Sequence, residues 1–265
     1  MAPEPALLTA TDALDLAVGA ARAAADILVE RFRGPAVGVR TKSTSTDLVS
    51  EADERAEQAV VAYLRARRPH DGLVAEEGSA SESSTGFRWL VDPLDGTINY
   101  LYGIPHWCVS VACADAGGAI AGAVFDPIRG ELFTAARGAG TQLGGRAIGT
   151  SSVVELAGAL VATGFSYDAS ERAAQAAIVA KVAGSVRDIR RAGSAALDLA
   201  WVAAGRLDAY FEVSRSAWDT AAGALLVREA GGDVTWTDHT EIVASGRPLH
   251  ARLVALLRAS HQNDR

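Results

Sequence analysis

The segment from Trp89 to Tyr100 constrains this chain more than any other, because in it an apolar strand runs into two carboxylates. Trp89–Val91 is β-prone, Asp92 and Asp95 follow at once, and Gly96-Thr97 comes next. Charged side chains directly after a buried strand are costly unless a partner compensates them, and a bound metal ion can do so. A glycine beside a hydroxyl residue, at a turn into a helix, leaves backbone N–H groups free to bind an anion. The segment therefore predicts a magnesium-dependent phosphate site.

The composition allows a large core and argues against a nucleic-acid-binding surface. Hydrophobic residues make up 49% of the 265 residues, which is enough for one large domain or two smaller ones that share an interface. The formal net charge is −7, with 32 acidic against 25 basic residues. Such a balance gives no basic footprint for a polyanion. We therefore expect no nucleic-acid partner.

The cysteines and the hydropathy pattern predict a soluble, cytoplasmic protein. Cys108 and Cys113 are five positions apart in one strand-like run, so their side chains point to opposite faces and should not form a disulfide. Free thiols fit a reducing cytoplasm. Residues 1–5 lack the basic region of a signal peptide, and no uncharged run approaches about 20 residues. We therefore expect no membrane partner.

The first half of the chain has the pattern of two helices followed by an antiparallel sheet. Apolar residues at helical spacing predict a helix over 11–33, and Ser50 with Asp53 forms a capping box that opens a second helix ending near residue 68. Two strands are predicted next, at 73–75 and 87–91. Three short β-prone runs separated by Gly or Pro turns then predict an antiparallel meander, at 108–114, 119–125 and 131–136.

The second half alternates between longer helices and strands. The predicted strands are 160–162, 209–213, 234–236 and 242–244, and the predicted helices are 173–183, 194–204, 220–230 and one from about 248. An antiparallel α+β half, residues 1–150 with Glu76, Asp92 and Asp95, joined to an α/β half, residues 151–265 with Glu212 and Asp219, fits this pattern best.

Several acidic residues recur where a predicted strand ends or a helix begins. Glu76 follows one strand, Asp92 and Asp95 follow the next, and Asp53 and Asp219 lie in the first turns of helices. Oxygen ligands of this kind suit Mg²⁺, whereas zinc is disfavoured because no histidine and cysteine cluster has ligand spacing.

Each of these acids also has a purely structural interpretation. Asp53 and Asp219 would stabilise a helix N-terminus by about 0.3–1 kcal/mol each without any metal, and Glu76-Glu77 could be a solvated turn. Taken singly, the structural interpretation is the simpler one for these three sites. The Asp92-Pro93-Leu94-Asp95-Gly96 turn is harder to explain in that way, and the combination of all the acids favours a metal site.

Several motifs, in a fixed order, resemble those of the inositol monophosphatase family. They are Lys42, Asp47-Leu48-Val49-x-x-x-Asp53, Glu76-Glu77, Asp92-Pro93-Leu94-Asp95-Gly96-Thr97-Ile98-Asn99-Tyr100, Gly193-Ser194-Ala195-Ala196, Trp218-Asp219-x-Ala221-Ala222-Gly223 and Glu229-Ala230-Gly231-Gly232. The resemblance spans about residues 10–255. It implies the layered αβαβα sandwich shared by inositol monophosphatases and fructose-1,6-bisphosphatases, with two subdomains.

The resemblance also implies roles for individual residues. Glu76, Asp92 and the backbone carbonyl of Leu94 match the ligands of a first Mg²⁺ ion; Asp92, Asp95 and Asp219 match those of a second; and Glu76 matches the ligand of a weaker third. Thr97 and Glu76 match the pair that activates water, with Asp53 and Asp47 behind them. Gly96 and Thr97 match the phosphate donors, and Lys42 matches a lysine near a catalytic loop. Ala195 and Glu212 match positions that contact the substrate alcohol, and Asp219 matches another position at the substrate.

The implied activity is that of a magnesium-dependent, lithium-sensitive phosphoric monoester hydrolase acting on inositol 1-phosphate. Histidinol phosphate, fructose 1,6-bisphosphate and a nucleotide 3′-phosphate remain open as alternative substrates for the same chemistry. A non-catalytic partnership with the transcription or ribosome-assembly machinery is a second class of function found in this family. The resemblance points to a homodimer.

Overall fold

The computed structural model describes residues 8–42, 48–213, 216–237 and 241–262. Two N-terminal helices, α1 (Ala10–Arg31) and α2 (Glu51–Arg65), pack against each other. Thr9 caps α1 by accepting a hydrogen bond from the Asp12 N–H. The predicted capping box of Ser50 and Asp53 is present at α2. A two-stranded ladder, β1 (Arg40–Thr41) with β2 (Leu48–Val49), precedes α2.

The first sheet has eight strands and lies under α1 and α2. Its strands are β3 (Gly72–Ala75), β4 (Ala80–Ser81), β5 (Arg88–Asp95), β6 (Cys108–Asp115), β7 (Gly118–Asp126), β8 (Glu131–Ala136), β9 (Gly140–Leu143) and β10 (Arg146–Ala147). Their order is β10-β9-β8-β7-β6-β5-β3-β4. The predicted antiparallel meander is confirmed in β6, β7 and β8, whereas β3 and β5 are parallel. A short helix, α3 (Thr97–Leu101), follows β5.

The second sheet has five strands in the order β12-β11-β13-β15-β14. They are β11 (Leu160–Thr163), β12 (Asp188–Arg190), β13 (Ala209–Val213), β14 (Gly232–Trp236) and β15 (Glu241–Gly246). The helices of this half are α4 (Ala169–Ala183), α5 (Ala195–Ala203), α6 (Ala217–Glu229) and α7 (Arg247–Gln262). No helix in the described ranges combines the length and the hydropathy that crossing a membrane requires.

Five layers result from this packing. Helices α5 and α6 contact both sheets and lie between them, while α4 and α7 pack together on the far side of the second sheet. The predicted αβαβα sandwich is therefore confirmed. Because α6 contacts strands of the first sheet as well as those of its own half, the two predicted halves share one central helical layer. The division at residue 150 stays a prediction.

Two predicted boundaries are wrong for local reasons. Strand β5 does not end at Val91 but continues through Asp92 to Asp95, because β6 goes on pairing with it: Asp92 lies opposite Ser110, and Asp95 opposite Cys108 across an irregular register. The predicted loop of carboxylates is thus the bulged end of a strand. Helix α1 ends at Arg31 instead of Arg33, where the backbone adopts a positive φ of 66°.

The two cysteines lie on opposite faces of β6, as predicted. Cys113 packs in the core beneath α1 and α2, and Cys108 packs against α5 and α6. Both are buried and free. Burial raises the pKa of each thiol, that of Cys113 to about 12, so neither is poised to react as a thiolate.

Candidate active site

Parallel pairing of β3 with β5 brings Glu76 next to Asp92. Ala75 lies opposite Val91, and the Glu76 N–H donates to the Val91 carbonyl at 3.1 Å. Glu76, which follows β3, and Asp92, which follows the last β5 residue paired with β3, therefore lie at the same end of this strand pair. Asp92 is 3% exposed, and its pKa is raised well above its ordinary value by burial and by the charges of Glu76, Asp95 and Asp219.

Asp95 is held by the second half of the chain. Its Oδ2 accepts hydrogen bonds from the Ser194 hydroxyl at 2.6 Å and from the Ala196 N–H at 2.7 Å. Ser194 is the N-cap of α5, so the start of this helix points at the carboxylate. Burial nevertheless raises the pKa of Asp95 to about 6, against the effect of these donors and with a contribution from the charge of Glu76.

Gly96 turns the chain from β5 into α3, and Thr97 connects this turn to α2. Gly96 has a φ of 100°, and a Cβ there would lie 3.1 Å from the His106 carbonyl oxygen. The Thr97 hydroxyl is 3.0 Å from Asp53 Oδ1 and 3.1 Å from the Leu94 carbonyl oxygen. Asp53 thus acts as a helix cap and also contacts Thr97. Because α3 has only five residues, its macrodipole is smaller than the predicted helix start suggested.

One cavity of about 530 Å³ gathers most of the predicted site. Asp219 reaches it from the first turn of α6, and Glu212 from β13. The Tyr210 hydroxyl donates to Glu212, and burial raises the pKa of Glu212 to about 7. The predicted residues that line the cavity are Glu76, Asp92, Leu94, Asp95, Gly96, Thr97, Ala195, Glu212 and Asp219.

Lys42 makes contacts that the sequence alone did not predict. Its Nζ lies 2.8 Å from Glu76 Oε1 and 2.6 Å from Glu77 Oε1. Burial disfavours the ammonium, but these two carboxylates outweigh it and raise the pKa of Lys42. Burial also raises the pKa of Glu77, to about 7. Asp47, the other predicted residue of this region, lies outside the described residues.

The donor chemistry fits Mg²⁺, but the spacing is not that of a finished metal site. Within the ranges that the structure describes, no three His, Cys, Asp or Glu side chains are spaced to hold a metal ion. The Lys42 ammonium group donates to Glu76, and the Ser194 hydroxyl donates to Asp95. Groups of the protein itself therefore occupy oxygens that a metal ion would bind. Burial, together with the repulsion of the neighbouring carboxylates, raises the pKa of Asp92, and a bound divalent cation would relieve that repulsion.

Other cavity residues escaped the sequence analysis as site residues. The most informative are Gly164 and Asp198. A Cβ at Gly164 would collide with the Glu212 carboxylate, so the glycine makes room for it. Strands β11 and β13 are parallel, and their carboxyl ends therefore meet at one edge, where ligands bind in α/β sheets. Applied to the predicted strands, this rule on carboxyl ends would have marked the residues after 162 and 213 as candidates for the site.

His106 supports the turn at Gly96 and gives a prediction about acid stability. Its ring lies edge-on to Trp201, with centroids 5.2 Å apart, and its Nε2 is buried without a hydrogen-bond partner. Burial lowers the pKa of His106 to about 4 from 6.5, and the charge of Arg129 adds to this. The unfolded chain therefore binds this proton first, and stability that is fully present above pH 6.5 is lost as the pH falls toward 4.

We expect His106→Phe to weaken this acid sensitivity. The free energy of unfolding of the wild type should fall between pH 6.5 and 4 by up to about 3 kcal/mol more than that of the variant. Urea unfolding at a series of pH values measures the difference. Replacement of the exposed His70 by Gln should leave the wild-type profile unchanged, and parallel profiles for wild type and His106→Phe would contradict the assignment.

Known proteins match this chain over most of its length. A model of the inositol monophosphatase family matches residues 10–263. A protein named Nus factor SuhB from Xylella fastidiosa is 45% identical over 223 residues, which cover 84% of this chain and 81% of that protein. Among solved structures, the extragenic suppressor protein SuhB from Bartonella henselae has a TM-score of 0.86 at 36% identity and covers 93% of this chain and 98% of its own.

A structure of inositol monophosphatase from Anabaena is also similar. It has a TM-score of 0.81 at 34% identity and covers 93% of this chain and 95% of its own. The sequence motifs, the five-layer sandwich and these matches agree with one another. The chain belongs to the inositol monophosphatase family.

Proposed function

We propose that this protein is a magnesium-dependent phosphomonoesterase that hydrolyses inositol 1-phosphate or a close relative by direct attack of water. The observation that carries this proposal is that Glu76, Asp92, Asp95 and Asp219 line one cavity beside Gly96-Thr97. Packing alone does not explain why carboxylates from three separate stretches of chain line one cavity, because their mutual repulsion is unfavourable. A site that binds divalent cations and a phosphate ester would explain why these carboxylates lie together.

The proposed metal ligands are those that the family resemblance implied. Glu76, Asp92 and the Leu94 carbonyl would hold one Mg²⁺ ion; Asp92, Asp95 and Asp219 would hold a second; and Glu76 would contribute to a weaker third. When bound, Mg²⁺ makes a water molecule more acidic and stabilises charge on the phosphate ester. Lys42 Nζ now lies 2.8 Å from Glu76 Oε1, and it would compete with Mg²⁺ for that oxygen while leaving Oε2 available.

The remaining proposed roles belong to the side chains and backbone around Thr97. The Thr97 hydroxyl can donate to Asp53, which lies 3.0 Å away, and so present a lone pair to the attacking water. Glu76 and Thr97 would together accept the water proton. The N–H groups of Gly96 and Thr97 would bind phosphate oxygens, and Ala195 and Glu212 would contact the alcohol.

A substrate panel tests the proposal. We expect the purified protein to hydrolyse inositol 1-phosphate faster than histidinol phosphate, fructose 1,6-bisphosphate or a nucleotide 3′-phosphate, each measured by phosphate release. Removal of divalent cations with EDTA should abolish turnover, added Mg²⁺ should restore it, and Li⁺ should inhibit it. Turnover unaffected by EDTA would contradict the metal-dependent chemistry, and a faster alternative substrate would reassign the specificity.

A second candidate function follows from the name of several relatives. Proteins called Nus factor SuhB from Xylella fastidiosa and Escherichia coli are 45% and 42% identical to this chain. We propose as the alternative that this chain, too, acts as a partner of the transcription machinery, with or without phosphatase activity. A purified protein that binds Mg²⁺ but hydrolyses none of the panel, and that copurifies with RNA polymerase, would favour it.

We also propose that the protein is a cytoplasmic homodimer. Its two cysteines are free, which suits a reducing compartment, and the dimer follows from family resemblance. Sedimentation equilibrium of the full chain would distinguish a dimer from a monomer of 27.4 kDa.

A further inference from the structure

One acidic side chain in the active-site cavity has a buried oxygen that forms no hydrogen bond with the protein. Asp198 lies on α5 and lines the cavity, although only 2% of the residue is exposed. Its Oδ1 is buried without a hydrogen-bond partner. The residues on either side of it, Leu197 and Leu199, are fully buried in the core. A carboxylate is therefore kept at a position where an apolar side chain would be more stable.

The charges around Asp198 make its retention more unfavourable still. Burial, followed by the charges of Asp95 and Glu212, raises the pKa of Asp198, and only Arg191 acts in the opposite direction. The Tyr210 hydroxyl, which could have satisfied a carboxylate here, donates to Glu212 instead. An unpartnered acceptor of this kind in a cavity indicates a group that a ligand completes.

The position of Asp198 on its helix tells which part of a ligand it would meet. It lies three residues after Ala195, on the same face of α5. Ala195 and Glu212 form the proposed alcohol end of the cavity, and Gly96 with Thr97 the phosphate end. Asp198 therefore lies next to Ala195, at the proposed alcohol end of the cavity.

We propose that Asp198 is a specificity-determining residue that, together with Glu212, accepts hydrogen bonds from hydroxyl groups of the leaving alcohol and so selects monophosphates of polyols. This inference rests on the proposed phosphatase function. The buried Oδ1 of Asp198 can accept a hydrogen bond, so a ligand group that completes it would be a donor. Arg191 already supplies a positive charge to both carboxylates, and neutral hydroxyls therefore fit this end better than a second cation.

Kinetics on two substrates test the inference. Inositol 1-phosphate offers hydroxyls next to the ester, whereas phenyl phosphate offers none. For Asp198→Leu and Asp198→Asn we expect kcat/KM on inositol 1-phosphate to fall about 10- to 100-fold in the leucine variant, mainly through KM, and less in the asparagine variant, which keeps an acceptor. On phenyl phosphate both variants should stay within about twofold of the wild type.

Thermal unfolding separates this role from a structural one. Since each substitution removes a buried carboxyl group whose Oδ1 forms no hydrogen bond, the melting temperature of both variants should equal or exceed that of the wild type. Asp188→Asn is the matched control, because Asp188 is exposed and paired with Arg190; its kinetics should match those of the wild type on both substrates.

Other outcomes would overturn the inference in distinguishable ways. Equal losses on both substrates, or a lowered melting temperature, would make Asp198 a structural or positioning residue. An unchanged kcat/KM on inositol 1-phosphate would exclude contact with the alcohol. A wild-type protein that hydrolyses neither substrate would instead overturn the proposed function on which the inference rests.

Discussion

Replacing Asp95 by asparagine is expected to lower the turnover number by roughly 100- to 1000-fold or more while leaving the fold intact. The substitution keeps the size of the side chain and an oxygen that can accept from Ser194 and Ala196, which now lie 2.6 and 2.7 Å from Oδ2. It removes the negative charge that a divalent cation would need. Because burial already raises the pKa of Asp95 to about 6, loss of that charge should not destabilise the protein.

Steady-state turnover at saturating Mg²⁺ and a melting curve measure both parts of this expectation. Asp115→Asn is the control: Asp115 forms an ion pair with Arg137 at the surface, and this substitution should leave turnover unchanged. Asp219→Asn should behave like Asp95→Asn, because both residues line the same cavity. Near-normal turnover of either variant would remove that residue from the proposed metal site.

Replacing Gly223 by valine is expected to destabilise the protein more than any surface change. Gly223 lies in α6, and a Cβ there would be 2.5 Å from the Leu199 Cβ on α5. A larger side chain must push the two helices apart in the layer that both sheets share. Overpacking of this kind costs roughly 3 kcal/mol, which corresponds to a melting temperature about 6–12 °C lower for a chain of this size.

Differential scanning calorimetry of the full chain measures that shift. Gly184→Ala is a suitable control, since Gly184 ends α4 with a φ of −74° and a Cβ there would meet nothing within 4 Å. The control should melt at or slightly above the wild-type temperature. A Gly223→Val variant that melted within about 2 °C of the wild type would mean that α5 and α6 can move apart without loss of stability, and would contradict this prediction.

Local patterns predicted the elements of this fold well, because their signals lie close together in the sequence. The capping box at Ser50 and Asp53 needs only four consecutive residues, and it is present as predicted. The opposite faces of Cys108 and Cys113 follow from the two-residue period of a strand. The end of β5 was misplaced because its continuation to Asp95 depends on pairing with β6, which no local pattern contains.

The candidate site was predictable in its acids but not in its other contacts. Family motifs identified Glu76, Asp92, Asp95 and Asp219, and the structure brings them to one cavity. Asp198 was missed because its neighbours in the sequence are apolar residues of a predicted helix, and they gave no sign of a site. Lys42 was noted, but its contacts with Glu76 and Glu77 cross more than thirty residues of sequence. Long-range electrostatic partners of this kind have no periodic signature.

The buried helices α5 and α6 couple unfolding of this protein to loss of its active-site cavity. Asp219 lies in the first turn of α6. The Asp95 carboxylate accepts hydrogen bonds from the start of α5. The helical layer between the two sheets therefore also completes the cavity. Heating or denaturant cannot loosen one sheet from the other without pulling the carboxylates apart. The proposed phosphatase activity should therefore be lost in the same cooperative transition as the folded structure.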